Sequence, residues 1–176
     1  MPRLLDRMPF LTHEDEVVVR GERVRVRANQ IILWVSLTLR RVKAANPAAI
    51  PFPVVLDTGH THSLAIQERH LVEWAGFRPD ALSPLNHVRE RGQRVPLREA
   101  NIWVHPNVRG VRDELAERSP HLVEAQRGIA VYPAGDFPRL PLLGLRAIAE
   151  NALTLNIDGS KRTATLRTSL RWWPFG

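Results

Sequence analysis

The chain has 176 residues, of which 44% are hydrophobic and 24% are charged, values that are ordinary for a globular protein of one domain. It contains no cysteine, which excludes a disulfide framework and a thiolate metal site. The formal net charge of +7 comes mostly from arginines scattered along the chain, which argues against a nucleic-acid partner; a basic RNA-binding β domain would require that folding gathers them on one face.

Residues 1–30 form an N-terminal extension in our interpretation, and part of it is predicted to be a β-hairpin. Val24 and Val26 alternate with arginines, a period of two that is typical of strands, and Arg20-Gly21-Glu22 favours a turn within residues 17–27. The extension has no long apolar run after its positive charges, and no stretch of the chain has the roughly 18 apolar residues of a membrane span. We therefore expect a cytoplasmic protein with no membrane partner.

The next segments predict a strand that is buried on both faces and ends in a polar triplet. Residues 31–39 alternate in a second strand pattern, and the prolines of residues 44–53 interrupt it as a loop. Residues 54–56 are then apolar without alternation, which is typical of a strand covered on both sides. This strand leads directly into Asp57-Thr58-Gly59.

The middle of the chain predicts more strands and one helix. The pattern indicates a short strand at residues 63–66 and a helix at residues 67–75. Residues 87–105 contain two extended arms on either side of a turn at Gly92. Residues 106–128 are polar and include the helical pattern VRDELAER, so we interpret them as a surface insertion.

The last third of the chain returns to strands. Residues 129–132 favour a strand, residues 140–144 form a buried run into a short helix, and residues 153–168 favour a closing hairpin. The C-terminal tail, residues 171–176, ends in aromatic side chains that either pack on the chain's own core or anchor an interface. Many short strands with closely spaced turn signals predict an all-β, or mainly β, barrel or sandwich.

Two motifs are the basis for predicting a catalytic site. Asp57-Thr58-Gly59 alone is compatible with a surface turn, but such a turn does not need the apolar strand that leads into it. We therefore expect the carboxylate at the end of a buried strand. Leu142-Leu143-Gly144 is either the start of a helix after a loop or a strand whose glycine lets another backbone pass close by.

Together these parts resemble the retropepsin family, the single-domain relatives of pepsin. The resemblance rests on VVLDTG with the strand and helix that follow it, the hairpin near Gly92, and LPLLGLRAI followed by LTLNIDG. It covers roughly residues 31–167. It implies a closed acid-protease barrel with one or two short helices, and we assign this domain to residues 31–170.

The resemblance implies that Asp57 is catalytic, that Thr58 crosslinks two triplets across a dimer axis and that Gly59 lets the loop turn tightly. The chemistry needs two carboxylates around one water, one ionised to take a proton and one protonated to donate a proton. The chain has one Asp-(Thr/Ser)-Gly triplet, so the second carboxylate must come from a twofold partner. We therefore expect a homodimeric aspartic endopeptidase that acts on a peptide or protein and needs no cofactor.

Two further features follow from the resemblance. A hairpin flap over the substrate is expected at about residues 88–97, with its tip near Gly92. Leu142, Leu143 and Gly144 are expected to pack against the active-site loop, where their role is structural.

The chain departs from the family directly after the triplet. The family usually has Ala or Ser there, whereas this chain has His60, and it has Thr61 and His62 where the viral enzymes carry acidic residues that bind the substrate backbone. We expect His60, Thr61, His62 and Gly92 to line the substrate cleft. The alternative function is a non-catalytic retropepsin-like module for dimerisation or peptide binding.

His60 and His62 also raise the question of a metal site, because residues i and i+2 of a strand point to the same side. His70 is the nearest third ligand and falls on the predicted helix, so we predict no metal. The other interpretations are polar side chains at the cleft edge, or a charge on His60 that lowers the pKa values of the catalytic pair. Ser63 lacks the Gly-x-Ser-x-Gly turn that presents a serine nucleophile.

Overall fold

The computed structural model describes residues 2–133, 135 and 137–169, so the predicted tail lies outside the described residues. Within this part the chain is mainly β, as the sequence predicts. The strands are β1 (Arg3–Pro9), β2 (Asp15–Val19), β3 (Glu22–Val26), β4 (Ile32–Thr38), β5 (Phe52–Asp57), β6 (Leu64–Gln67), β7 (Pro84–Glu90), β8 (Gln93–Arg98), β9 (Asn101–His105), β10 (His121–Glu124), β11 (Ile129–Tyr132), β12 (Leu142–Gly144), β13 (Leu153–Asp158) and β14 (Thr163–Thr168). The α-helices are α1 (Glu68–Glu73) and α2 (Leu145–Glu150). Neither these helices nor any other in the described part is long and apolar enough to cross a bilayer.

Nine strands form one sheet in the order β10-β9-β4-β5-β12-β6-β11-β8-β7. The neighbours pair antiparallel except for β5 with β12 and β6 with β11, which are parallel. The strands β10 and β7 are the edges, and among the described residues they do not pair with each other. The closed barrel that we expected is therefore not observed in the strand pairing. The remaining strands form a three-stranded sheet, β1-β14-β13, and the hairpin β2-β3.

The middle of the large sheet is buried on both faces. The first five residues of β5 are buried, which matches the continuous apolar run of this strand. Every residue of β4 is buried too, although its sequence predicts one polar face. The polar side chains of β4 find partners: Ser36 Oγ lies 2.9 Å from His105 Nε2, and Trp103 Nε1 donates a 2.9 Å hydrogen bond to Thr38 Oγ1. Buried polar groups that are hydrogen-bonded cost little, so both faces can be covered.

The N-terminal residues contribute two separate elements. The predicted hairpin is confirmed as β2 and β3, joined at Arg20 and Gly21, whose φ angles are +50° and +84°. Two consecutive positive φ angles match the twist of the flanking strands. The sequence did not predict β1, which pairs antiparallel with β14 near the other end of the chain. The N-terminal segment is thereby attached to the closing hairpin β13-β14.

The segment 106–128 differs from its helical interpretation. Residues 111–118 form no helix, and residues 121–124 form the edge strand β10. The reason lies in the contacts of Arg112, whose buried guanidinium bonds the carboxylate of the distant Asp15 at 2.9 Å and that of the adjacent Asp113 at 2.9 Å. Its carbonyl also accepts a 2.9 Å hydrogen bond from Trp34 Nε1. A helix of two turns is marginal alone, so these tertiary contacts decide the local conformation.

Candidate active site

Asp57 is the last residue of β5, and the structure places Leu142-Leu143-Gly144 directly beside this strand. These three residues form β12, which runs parallel to β5 with Gly144 opposite Asp57. On its other side β12 pairs antiparallel with β6, the strand that follows the active-site loop (residues 57–63). The loop thus leaves the sheet at β5 and re-enters it at β6, with β12 between the two strands.

Gly144 allows the active-site loop to cross β12 at very close range. A Cβ atom at this position would lie 2.1 Å from the carbonyl oxygen of His62 and 2.5 Å from that of His60. The φ of Gly144 is −93°, which any residue adopts, so the requirement for glycine is purely steric. Two hydrogen bonds hold the crossing: the N–H of Gly144 donates to the Ser63 carbonyl at 3.2 Å and that of Leu145 to the His60 carbonyl at 3.0 Å.

The carboxylate of Asp57 is oriented by its own loop. Its Oδ1 accepts a 2.9 Å hydrogen bond from the N–H of Gly59, and its backbone carbonyl accepts a 3.1 Å bond from the N–H of His60. Oδ2 has no hydrogen-bond partner among the described residues. Asp57 is half-buried, while Thr58 and Gly59 are exposed. One carboxylate oxygen is therefore fixed, and the polar surface around it remains open.

The strands β7 and β8 form the hairpin that the sequence predicts near Gly92. Arg91 and Gly92 form its tip, with φ angles of +49° and +75°. The tip rests on the active-site loop because Glu90 Oε1 lies 2.5 Å from Nε2 of the buried His62. The other oxygen of Glu90 accepts a hydrogen bond from the hydroxyl of Tyr132.

Aromatic contacts complete the attachment of the hairpin tip. The guanidinium carbon of Arg91 lies 3.8 Å from the ring centre of Phe137, a cation–π geometry. Phe137 in turn contacts Tyr132 edge to face, with 5.1 Å between ring centres, and lies 6.4 Å from the ring centre of His60. The hairpin tip, the active-site loop and the end of β11 therefore form one contiguous cluster.

The charges in this cluster shift several pKa values. Burial raises the pKa of Glu90, but the hydrogen bonds from Tyr132 and His62 outweigh burial and the net shift is downward. Burial and the neighbouring Glu90 raise the pKa of Tyr132, so it remains a hydrogen-bond donor. Burial is the largest cause that lowers the pKa of His60, the neighbouring His62 ring acts in the same direction, and Glu90 and Asp57 oppose the shift. The net shift disfavours a positive charge on His60 beside Asp57.

The residues expected at the cleft take different positions. His62 is buried beneath the hairpin tip, whereas Thr61 is exposed. His60 is half-buried, and its Nε2 has no hydrogen-bond partner among the described residues. His70 lies in α1, where its ring stacks on Trp74 with 4.0 Å between ring centres. The described residues contain no group of three or more His, Asp or Glu side chains arranged to hold a metal ion.

Sequence reasoning did not single out Glu90, Tyr132 or Phe137. The alternation in β7 carries the signal for Glu90, because it shares a strand face with the half-buried Val88. No local pattern places Tyr132 or Phe137 beside the hairpin tip, since both contacts span more than thirty residues. Comparisons of this chain with protein-family models, with curated proteins and with solved structures find no match.

Proposed function

We propose that this protein is an aspartic endopeptidase with a retropepsin-like fold, active as a homodimer in which each subunit contributes Asp57. The observation that carries the proposal is the setting of Asp57. Its carboxylate stands at the end of a buried strand, next to a parallel strand that ends in Gly144, and one oxygen is held by the N–H of Gly59. This arrangement presents a carboxylate rigidly at an open surface.

The proposed chemistry uses two such carboxylates about 3 Å apart, which share one proton because both cannot easily ionise. The ionised Asp57 takes a proton from a water molecule, whose oxygen attacks the peptide carbonyl carbon. The protonated Asp57 of the other subunit donates its proton to the carbonyl oxygen. The Asp57 that took the proton of the water then donates it to the leaving nitrogen, while the other Asp57 takes back a proton from a hydroxyl of the tetrahedral intermediate. The carbon–nitrogen bond breaks, an acid and an amine are released, and the pair again shares one proton.

The surface around Asp57 supports a twofold partner. Thr58 and Gly59 are exposed, and Thr58 makes no side-chain hydrogen bond among the described residues. Leu145, which follows Gly144 directly, is 50% exposed although it is a large apolar residue. Glu90 cannot supply the second acid because His62 and Tyr132 already bind both of its oxygens. A C2 dimer that covers these residues would bring the two carboxylates to one axis.

The first test is cleavage of a diverse peptide pool between about pH 3 and pH 8 by the wild type and by Asp57→Asn, followed by mass spectrometry. We expect cleavage by the wild type, inhibition by pepstatin and no cleavage by Asp57→Asn. Sedimentation should show a dimer for both proteins, because the substitution removes a charge without changing the shape of the side chain. Cleavage that persists in Asp57→Asn would exclude Asp57 from the reaction.

One observation favours a second candidate, a non-catalytic retropepsin-like module for dimerisation or peptide binding. The hairpin tip is already held on its own active-site loop, through Glu90 with His62 and through Arg91 with Phe137. A hairpin closed in this way could leave no room for a peptide next to Asp57. A stable dimer that binds peptides equally well with Asp57 or with Asn at this position, and cleaves none, would support this candidate.

A further inference from the structure

The outer face of the β7-β8 hairpin forms a groove on the side opposite the active-site cluster. In a strand, successive side chains point to opposite faces, so His87 and Arg89 lie on the face opposite Glu90, and Leu85, at the irregular start of β7, lines the same cavity as His87. The cross-strand partners of His87 and Arg89 on this face are Pro96 and Arg94. This face borders a cavity of about 430 Å³ that is lined by hairpin residues alone. We call this cavity the hairpin groove.

The hairpin groove combines an apolar floor with cationic groups. Leu85, which is 44% exposed, and Pro96 and Leu97 supply apolar lining. Arg94 and Arg98 supply the charge. A ligand that matches this lining carries carboxylates on an apolar body, because guanidinium groups bind carboxylates with two parallel hydrogen bonds.

The arginines on this face have no acidic partner in the described part of the chain, although Arg94 Nη2 lies 3.1 Å from Nδ1 of His87. Arg89 and Arg94 are direct cross-strand partners, and like charges in this position destabilise a sheet. Among the described residues no acidic side chain lies within ion-pair distance of either arginine. Glu90 is the only acid in residues 84–98, and it points to the other face, where it binds His62. An anionic ligand between the two arginines would relieve this repulsion.

The position of β7 favours an extended ligand. It is an edge of the nine-stranded sheet, so one side of its backbone has no strand partner among the described residues. Extended peptides bind such edges by adding a strand. A single-stranded nucleic acid fits less well, because its binding sites normally stack successive bases on several aromatic side chains, and His87 is the one aromatic ring among the residues that line this groove.

We propose that the hairpin groove is a docking site for an acidic, extended peptide segment in which carboxylates alternate with apolar side chains. The carboxylates bind Arg94 in the groove and its cross-strand partner Arg89 beside the groove, and an apolar side chain packs on Leu85. Arg98 reinforces the charge, and its Nε is buried without a hydrogen-bond partner in the described structure. This site does not depend on catalysis by Asp57.

The test measures the fluorescence anisotropy of a labelled peptide in which Glu alternates with Val, binding to Asp57→Asn protein that cannot cleave it. A matched peptide with Gln in place of each Glu is the ligand control. Arg94→Gln is the test variant, and Arg109→Gln, which removes the same charge from another exposed position, is the protein control. Circular dichroism establishes that both variants are folded.

We expect the Glu peptide to bind about tenfold more tightly than the Gln peptide, a difference of about 1.4 kcal/mol, because ion pairs with exposed arginines are individually weak. Arg94→Gln should remove most of this difference, and Arg109→Gln should change it less than about twofold. Equal binding of the two peptides, or no effect of Arg94→Gln, overturns the proposal. Absence of binding would show that these arginines only protect a sheet edge, and tighter binding of single-stranded RNA through Arg94 would show a different ligand class.

Discussion

Substitution of Gly144 by alanine tests the crossing of the active-site loop over β12. The new Cβ would lie 2.1 Å from one backbone oxygen and 2.5 Å from another, whereas a carbon and an oxygen normally approach to about 3.3 Å. Neither oxygen belongs to a flexible side chain, so the backbone of β12 or of the loop must move by about 1 Å. That movement breaks the hydrogen bonds from the N–H groups of Gly144 and Leu145.

The expected cost is about 3–5 kcal/mol in the free energy of unfolding. Overpacking of a close contact contributes about 1–3 kcal/mol, and each of the two hydrogen bonds contributes about 1 kcal/mol. Urea unfolding followed by circular dichroism measures this cost, at one fixed protein concentration because the stability of the proposed dimer would depend on concentration. The matched control is Gly159→Ala, where no atom lies within 4 Å of the new Cβ, and we expect a change below about 1 kcal/mol. If the free energy of unfolding of Gly144→Ala lies within about 0.5 kcal/mol of that of the wild type, the loop does not cross β12 as described.

Three further substitutions test the hairpin, the core and the dimer. The folded chain holds the pKa of Glu90 below its ordinary value of 4.5. The hairpin tip should therefore be fully attached above pH 4.5 and should detach as the pH falls through the pKa that Glu90 has in the folded chain. Glu90→Gln should increase amide exchange at the tip and abolish this pH dependence. Burial lowers the pKa of His70 from 6.5 to about 4, so between these pH values the unfolded chain binds more protons than the folded chain and the free energy of unfolding should rise with pH. His70→Phe should flatten that rise in urea unfolding. If the free energy of unfolding of the variant rises with pH as steeply as that of the wild type, the buried ring of His70 is not neutral. Thr58→Ala should raise the dissociation constant of the proposed dimer about thirtyfold in sedimentation, since two hydrogen bonds of about 1 kcal/mol each are lost per dimer, whereas Thr61→Ala should leave it unchanged.

The sequence predicts the elements whose cause is local. The two hairpins β2-β3 and β7-β8 follow from alternating strands around Gly21 and Gly92, which adopt the positive φ that such turns need. The strand β5 follows from its unbroken apolar run, and Asp57 stands at its end. These predictions succeed because each element is determined by residues that are close to one another in the sequence.

The remaining features depend on contacts between distant parts of the chain. The polar residues of β4 are buried because His105 and Trp103 bind them, and no pattern within β4 shows this. Arg112 lies in irregular chain because Asp15, almost a hundred residues earlier, binds its side chain. Likewise, the sequence pattern of β7 indicates only that Glu90 faces inward, and the structure is needed to show that His62 and Tyr132 are its partners.

The central claim is that one catalytic site takes Asp57 from each of two subunits, and mixed dimers test it most directly. Wild-type and Asp57→Asn chains are dissociated, mixed in varying ratios and reassembled at constant total concentration, and the rate of peptide cleavage is measured. If both carboxylates are needed, only dimers of two wild-type chains cleave, and the rate follows the square of the wild-type fraction. An equal mixture then retains about a quarter of the full rate. A rate that falls in simple proportion to the wild-type fraction would show that each chain carries a complete site, and it would contradict the account.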